Sequence, residues 1–178
     1  MNSENAKKVK NYLKNKGLSN KEITALMANI AVESGYTFDS TKKQEGERSD
    51  PAYGLFQFDP RGKGLSKIYK QYLSDTEKKD SMESQLDFMV DSLNKTYKAG
   101  TEYIGYGNVK KYNDVVKEGT VEDITKFFSE NVLRPGTPHM DRRLQAAQDL
   151  LPLVYEQNNK DEINAAAAAA NTFPEAMQ

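Results

Sequence analysis

Ser19-Asn20-Lys21-Glu22-Ile23-Thr24-Ala25-Leu26-Met27-Ala28-Asn29-Ile30-Ala31-Val32-Glu33-Ser34-Gly35 is the stretch on which the reading of the chain turns. Ser19 followed three positions later by Glu22 has the spacing of a capping box, in which hydroxyl and carboxylate satisfy the free amides of a helix start. Ile23, Leu26, Met27 and Ile30 then recur at intervals of three and four, so they share one face. A helix to about Glu33 is expected, stopped by Gly35. At about 100° per residue, Glu33 falls on the flank of that apolar stripe, in the last turn, where the helix dipole is negative. Partial burial and the dipole both favour a protonated carboxyl, which a general acid near neutral pH requires. Position alone also allows an ordinary solvated or salt-bridged Glu, so a second feature is needed.

Outward from this helix, periods near 3.6 continue. Val9, Tyr12 and Leu13 mark a first helix ending at Gly17, suited to the left-handed position after a helix. Downstream, Leu65, Ile68, Tyr69, Tyr72 and Leu73 form one helix, and Met82, Leu86, Met89, Val90, Leu93 and Tyr97 a second that ends near Gly100. Val109, Tyr112, Val115 and Val116 precede Gly119, and Thr120 caps a helix holding Ile124, Phe127 and Phe128. Arg134-Pro135-Gly136-Thr137-Pro138 reads as a rigid turn. A last helix begins near Asp141, with Leu144, Ala147, Leu150 and Leu151 on one face, and Pro152 is expected to kink or end it. Residues 36 to 64 lose the helical period and are rich in Gly and Pro, which predicts a small β-hairpin with a loop. Residues 1–156 are expected to form one domain, and 157–178, with six alanines in a row, a linker or helical tail.

Composition narrows the chemistry. The 178 residues carry 25 Lys plus Arg against 26 Asp plus Glu, a formal charge of -1, so no bulk positive field or basic stripe speaks for nucleic acid. With no cysteine and one histidine, thiol nucleophiles, disulfides and multi-His zinc sites are excluded, and with them the usual peptidase and amidase chemistries. No metal or organic cofactor is expected. No apolar run suggests a signal peptide or a membrane span.

The second feature is Ala52-Tyr53-Gly54-Leu55-Phe56-Gln57-Phe58. As a strand it would put Tyr53, Leu55 and Gln57 on one side, while Gly54 would let another chain approach the backbone, as in the floor of a groove for a polymer. Taken alone it could equally be a core strand. Taken together, Ala31-Val32-Glu33-Ser34-Gly35-Tyr36 and Tyr53-Gly54-Leu55-Phe56-Gln57 resemble the lysozyme-like superfamily, in which a helix ending in Glu-Ser precedes Gly-Leu/Ile-x-Gln. More narrowly the chain resembles the phage tail lysozyme family over most of residues 5 to 156. Gln85 to Met89, Phe128, Arg134-Pro135-Gly136, Arg142, Arg143 and Ala146 look like that family's later segments.

The resemblance implies an α+β, mostly helical, lysozyme-like fold with a small β-hairpin lobe and a cleft between lobes. It also implies cleavage of the β-1,4 bond between N-acetylmuramic acid and N-acetylglucosamine in peptidoglycan, with Glu33 as the acid. Animal-type lysozymes carry an Asp directly before Tyr-Gly, where this chain has Ala52. Asp50 is the first candidate for the missing carboxylate and Glu45 the second, ahead of Asp39, Glu47 and Asp59; each can also be read as a solvated loop charge. Without such a partner, a lytic transglycosylase route or a weakly catalytic glycan-binding virion protein stays open. Tyr36, Tyr53, Tyr103 and Tyr106 are candidates for a cleft wall on which sugar rings pack, and Gln57 for a polar contact. The Tyr103 to Gly107 stretch reads as a loop, His139 as a lone exposed histidine, and Arg142 and Arg143 as partners of acids. The expected partner is peptidoglycan, with other virion proteins alongside, at a phage tail or the host wall. A Glu33 far from any trough, or clamped by a guanidinium, would overturn this scheme.

Overall fold

The computed structural model describes residues 1–44, 51–61 and 64–155. Its elements are α1 (Ser3–Asn15), α2 (Asn20–Glu33), α3 (Leu65–Asp75), α4 (Met82–Leu93), α5 (Lys98–Ile104), α6 (Tyr106–Glu118), α7 (Val121–Phe128), a π-helical turn (Ser129–Leu133) and α8 (Met140–Tyr155). Among the described residues no helix is long and apolar enough to cross a membrane. The expected tail from 157 onward lies outside them.

The helix starts obey the local chemistry read from the sequence. Ser19 and Glu22 close the capping box of α2, and Thr120 with Asp123 closes that of α7. Gly17 and Gly35 both take positive φ, 84° and 60°, where a side chain would be strained. More of α2 is buried than its stripe predicts. Thr24, Ala25, Ala28, Asn29 and Ala31 are buried as well as the four large apolar residues, because α8, α7 and α1 all pack on it and alanines let them close in. The helix that ends in Glu33 is therefore the central post of the molecule.

Three expectations are corrected. The single helix from Met82 to Gly100 is two: α4 ends at Leu93, Lys95 turns through a φ of 63°, and α5 starts after Tyr97. The Tyr103 to Gly107 stretch is not a loop but the junction of α5 and α6, bent only at Gly105, whose φ is 94°. Of the two outcomes expected at Pro152, a kink or an end, the end is corrected: α8 runs on to Tyr155. Proline in a helix interior removes one hydrogen bond, and burial of Leu150, Leu151 and Val154 holds the last turn in place.

The β-hairpin lobe is not formed among the described residues. Lys43 and Tyr53 make one isolated bridge and Tyr53 and Phe58 another. Residues 53–58 close on themselves, Tyr53 N–H donating to Phe58 O at 3.1 Å and Phe58 N–H to Tyr53 O at 2.7 Å, which forces Gly54 to a φ of 82° and Gln57 to 51°. The side chain of Gln85 in α4 locks this turn. Its Oε1 accepts from Leu55 N–H at 2.9 Å, and its Nε2 donates to Ser40 O at 3.0 Å and to Asp80 at 2.9 Å. A methyl on Gly54 would lie 2.7 Å from Gln85 Oε1, so the space expected to admit another chain at a groove floor is filled by the protein's own Gln85, and that expectation is corrected. Phe58 stacks on Tyr69 of α3 at 4.2 Å, with Phe88 of α4 beside it, so aromatic burial replaces a ladder as the anchor.

Candidate active site

Where α2 ends, the chain is tied into a tight corner. Ser34 N–H donates to Ile30 O, the Ser34 hydroxyl accepts from Phe38 N–H at 3.1 Å, and the Thr37 hydroxyl donates to Ser34 O at 2.7 Å. Tyr36 and Phe38 accept left-handed φ of 62° and 52° to complete it. The corner fixes the last helical turn at the mouth of a cleft of about 470 Å³. Val32, Glu33, Ser34 and Gly35 line it from α2, Lys42, Lys43 and Gln44 from the segment beyond, Gln57 from the turn, and Pro135, Thr137, His139, Arg142 and Arg143 from the approach to α8 and its first turn.

Glu33 thus opens on a trough, with its side chain 15% exposed. The trough is not all that meets it. Arg143, 1% exposed, donates from Nη2 to Glu33 Oε1 at 2.6 Å. The rest of that guanidinium is fixed from behind, with Nη1 donating to Asn29 Oδ1 at 2.9 Å and Nε to Pro138 O at 2.6 Å, while Asn29 Nδ2 donates to Thr125 O at 3.2 Å. A network through α2, α7 and α8 therefore sets the position of the acid. Glu33 is sheltered as the helix pattern predicts, but the unpaired acid expected there is corrected to one paired with Arg143, which is one of the two outcomes set to overturn the original scheme. The expectation that Arg142 and Arg143 pair with acids holds for Arg143, whose acid is Glu33, and is corrected for Arg142, which lines the cleft without an ion-pair partner among the described residues.

Of the other residues singled out, Gln57 reaches the cleft, carried by the turn and with its Nε2 donating to Gly54 O at 3.1 Å. Tyr53 faces inward instead. It packs 6.1 Å from Phe58, and burial together with the charge and hydrogen bond of Asp80 pushes its hydroxyl up to about 12. Tyr36 sits one residue past the lining, its hydroxyl 3.5 Å from Arg142 O. Tyr106 is 52% exposed at the start of α6 and does not line the cleft, and neither does Tyr103, over which Arg134 is placed. Ala52 is buried, its carbonyl accepting from Gln44 N–H at 2.6 Å. Asp39 is held by Thr41 and Asp59 by Arg61, both away from the lining. Asp50, Glu45 and Glu47 lie outside the described residues. Among those described, Glu33 is the single carboxylate of the cleft.

Sequence reasoning missed Lys42, Lys43, Gln44, Thr137 and His139 as lining residues. The rigid turn from Arg134 to Pro138 was the available signal, because a turn fixed by two prolines just before a helix sets where the helix's first side chains land. Among the described residues no three His, Asp or Glu side chains gather as they would around a metal.

The family model described as Phage tail lysozyme matches residues 4–154. No curated protein and no solved structure matches the chain.

Proposed function

The chain belongs to the phage tail lysozyme family, and from that premise we propose that it is a muramidase, cleaving the β-1,4 bond between N-acetylmuramic acid and N-acetylglucosamine of peptidoglycan from a place in a phage virion or tail. The observation that carries this reading is Glu33 at the mouth of a cleft, with the amide of Gln57 on the same lining. Glu33 hands a proton to the bridging oxygen as the sugar ring takes on oxocarbenium character. Oε1 stays with Arg143, so the proton is carried on Oε2. Arg143 stabilises the carboxylate left after the transfer, because its guanidinium is already in place against Oε1. Hydrolysis then needs a base or nucleophile for water, and Asp50, then Glu45, are the residues proposed for it. With no such partner the same acid serves a transglycosylase route, in which the muramic acid's own hydroxyl attacks.

The Glu33–Arg143 pair also favours a second reading, a virion protein that binds glycan and cleaves it weakly or not at all. Purified cell walls separate the two. A muramidase lowers turbidity and releases reducing ends, a transglycosylase releases 1,6-anhydro muropeptides visible by mass spectrometry, and a binder does neither. Glu33→Gln is expected to lower the lytic rate by about 10²- to 10⁴-fold, the range of general acid catalysis; a variant that keeps most of its rate removes Glu33 from the mechanism. Asp50→Asn and Glu45→Gln, compared in the same assay, identify the partner carboxylate.

A further inference from the structure

Two cations on the described lining of the cleft have no counter-charge there. That lining brings Lys42, Lys43, Arg142 and Arg143 together with Glu33, and Lys42 is engaged within the protein. Arg143 is fully engaged by Glu33, Asn29 and Pro138. Lys43 and Arg142 are different: both are exposed, both line the cleft, and neither has an ion-pair partner among the described residues. They come from segments about a hundred positions apart that the fold brings to one trough, and Tyr36 lies against the backbone of Arg142. Hydroxyl and acetamide groups of a glycan are served by Gln44, Gln57 and Thr137 on the same lining. They give two exposed cations no counter-charge.

We propose that Lys43 and Arg142 bind carboxylates of the peptide stems that hang from the glycan strand, so that the cleft selects stem-bearing, acidic peptidoglycan over stem-free strands. This deepens the muramidase reading and rests on it. Arg142 offers a planar fork matched to a carboxylate, and Lys43 a mobile point charge that follows stems of varied length. Wall phosphodiester polymers present the same negative sign, but they are not spaced along the strand by its sugars, and the stems are.

The test uses the full chain carrying Glu33→Gln, which retains an oxygen for Arg143, and measures binding rather than turnover. The probes are soluble phosphate-free strands with stems, the same strands with their carboxyls amidated, stem-free strands, and a phosphodiester wall polymer alone. Stem-bearing strands are expected to bind about five- to tenfold more tightly than amidated or stem-free ones. Adding Lys43→Gln and Arg142→Gln should erase that preference, as two exposed charge contacts allow. High salt should erode it too. Equal binding to amidated and untreated strands, preference for the phosphodiester polymer, or a preference untouched by the two substitutions each overturns the proposal. The last is the result expected if these cations are already neutralised within the protein. A parent chain that fails to lyse walls yet keeps the stem preference refutes the muramidase reading and leaves this one standing.

Discussion

At the scale of single residues, the molecule hinges on a buried cation. Arg143 was legible as an arginine that pairs with an acid, but not with which one, because Glu33 stands 110 positions away and only the packing of α8 on α2 joins them. Its burial makes the pair testable by stability as well as by activity. Both Glu33→Gln and Glu33→Ala remove the counter-charge of a buried guanidinium, but Gln keeps an acceptor for Nη2, so Ala is expected to cost about 3 kcal/mol and Gln clearly less. Denaturant melts of the two variants check this; equal losses would mean that the contact contributes little to folding. The same comparison tells whether a loss of activity in the Gln variant is chemical or a failure to fold. Gly54 teaches the same limit. The glycine was read as admitting another chain, but the group that needs the space is Gln85, 31 positions on, and nothing local names it.

At the scale of elements, what could be read was what local chemistry decides. The start and end of α2 were legible because Ser19, Glu22 and Gly35 settle them within a few residues. The hairpin failed because Gly, Pro and aromatic residues suit a tight turn as well as a strand, and only the fit of Phe58 on Tyr69 and of Gln85 on Leu55 N–H decides between them. The capping box of α2 reaches beyond its own helix, since the hydroxyl of buried Tyr112 in α6 donates to Glu22 Oε1 at 3.1 Å. Burial, with the charge and hydrogen bond of Glu22, pushes that hydroxyl well above its ordinary value, so it stays protonated and donating. Ser19→Ala removes only the cap and is expected to cost about 1 kcal/mol. Glu22→Ala removes the cap and leaves the Tyr112 hydroxyl buried without a partner, for about 2–3 kcal/mol. Thermal unfolding of the pair measures the difference, and equal shifts would show that water or a rearranged neighbour satisfies Tyr112.

At the scale of the whole molecule, α4 is tied to α1 by one carboxylate. Asp87, 7% exposed, accepts from the Tyr12 hydroxyl at 2.8 Å and from Lys16 at 2.6 Å through Oδ1, and from Lys78, which precedes α4, at 2.7 Å through Oδ2. Burial alone would raise this carboxyl, but the hydrogen bonds from Lys16, Lys78 and Tyr12 outweigh it and hold the group below the ordinary aspartate value. A value lowered in the folded state means stabilisation that is complete above the unfolded value of about 3.9 and disappears as pH falls through the folded one. Asp39 and Asp123, lowered by their hydrogen bonds to Thr41 and Thr120, add to the same acid-side loss. Asp87→Asn should therefore lower stability at pH 7 by about 1–2 kcal/mol and flatten, without abolishing, the decline measured by urea unfolding between roughly pH 5 and pH 2. An unchanged slope in the variant would place the acid sensitivity elsewhere. The pairing matters for the cleft because α1 and α4 flank its two supports. α1 packs on α2, which ends in Glu33, and α4 carries Gln85, which holds the turn bearing Gln57. Acid that releases Asp87 from its cations loosens both supports at once, so lytic activity should fall with the same midpoint as the fold.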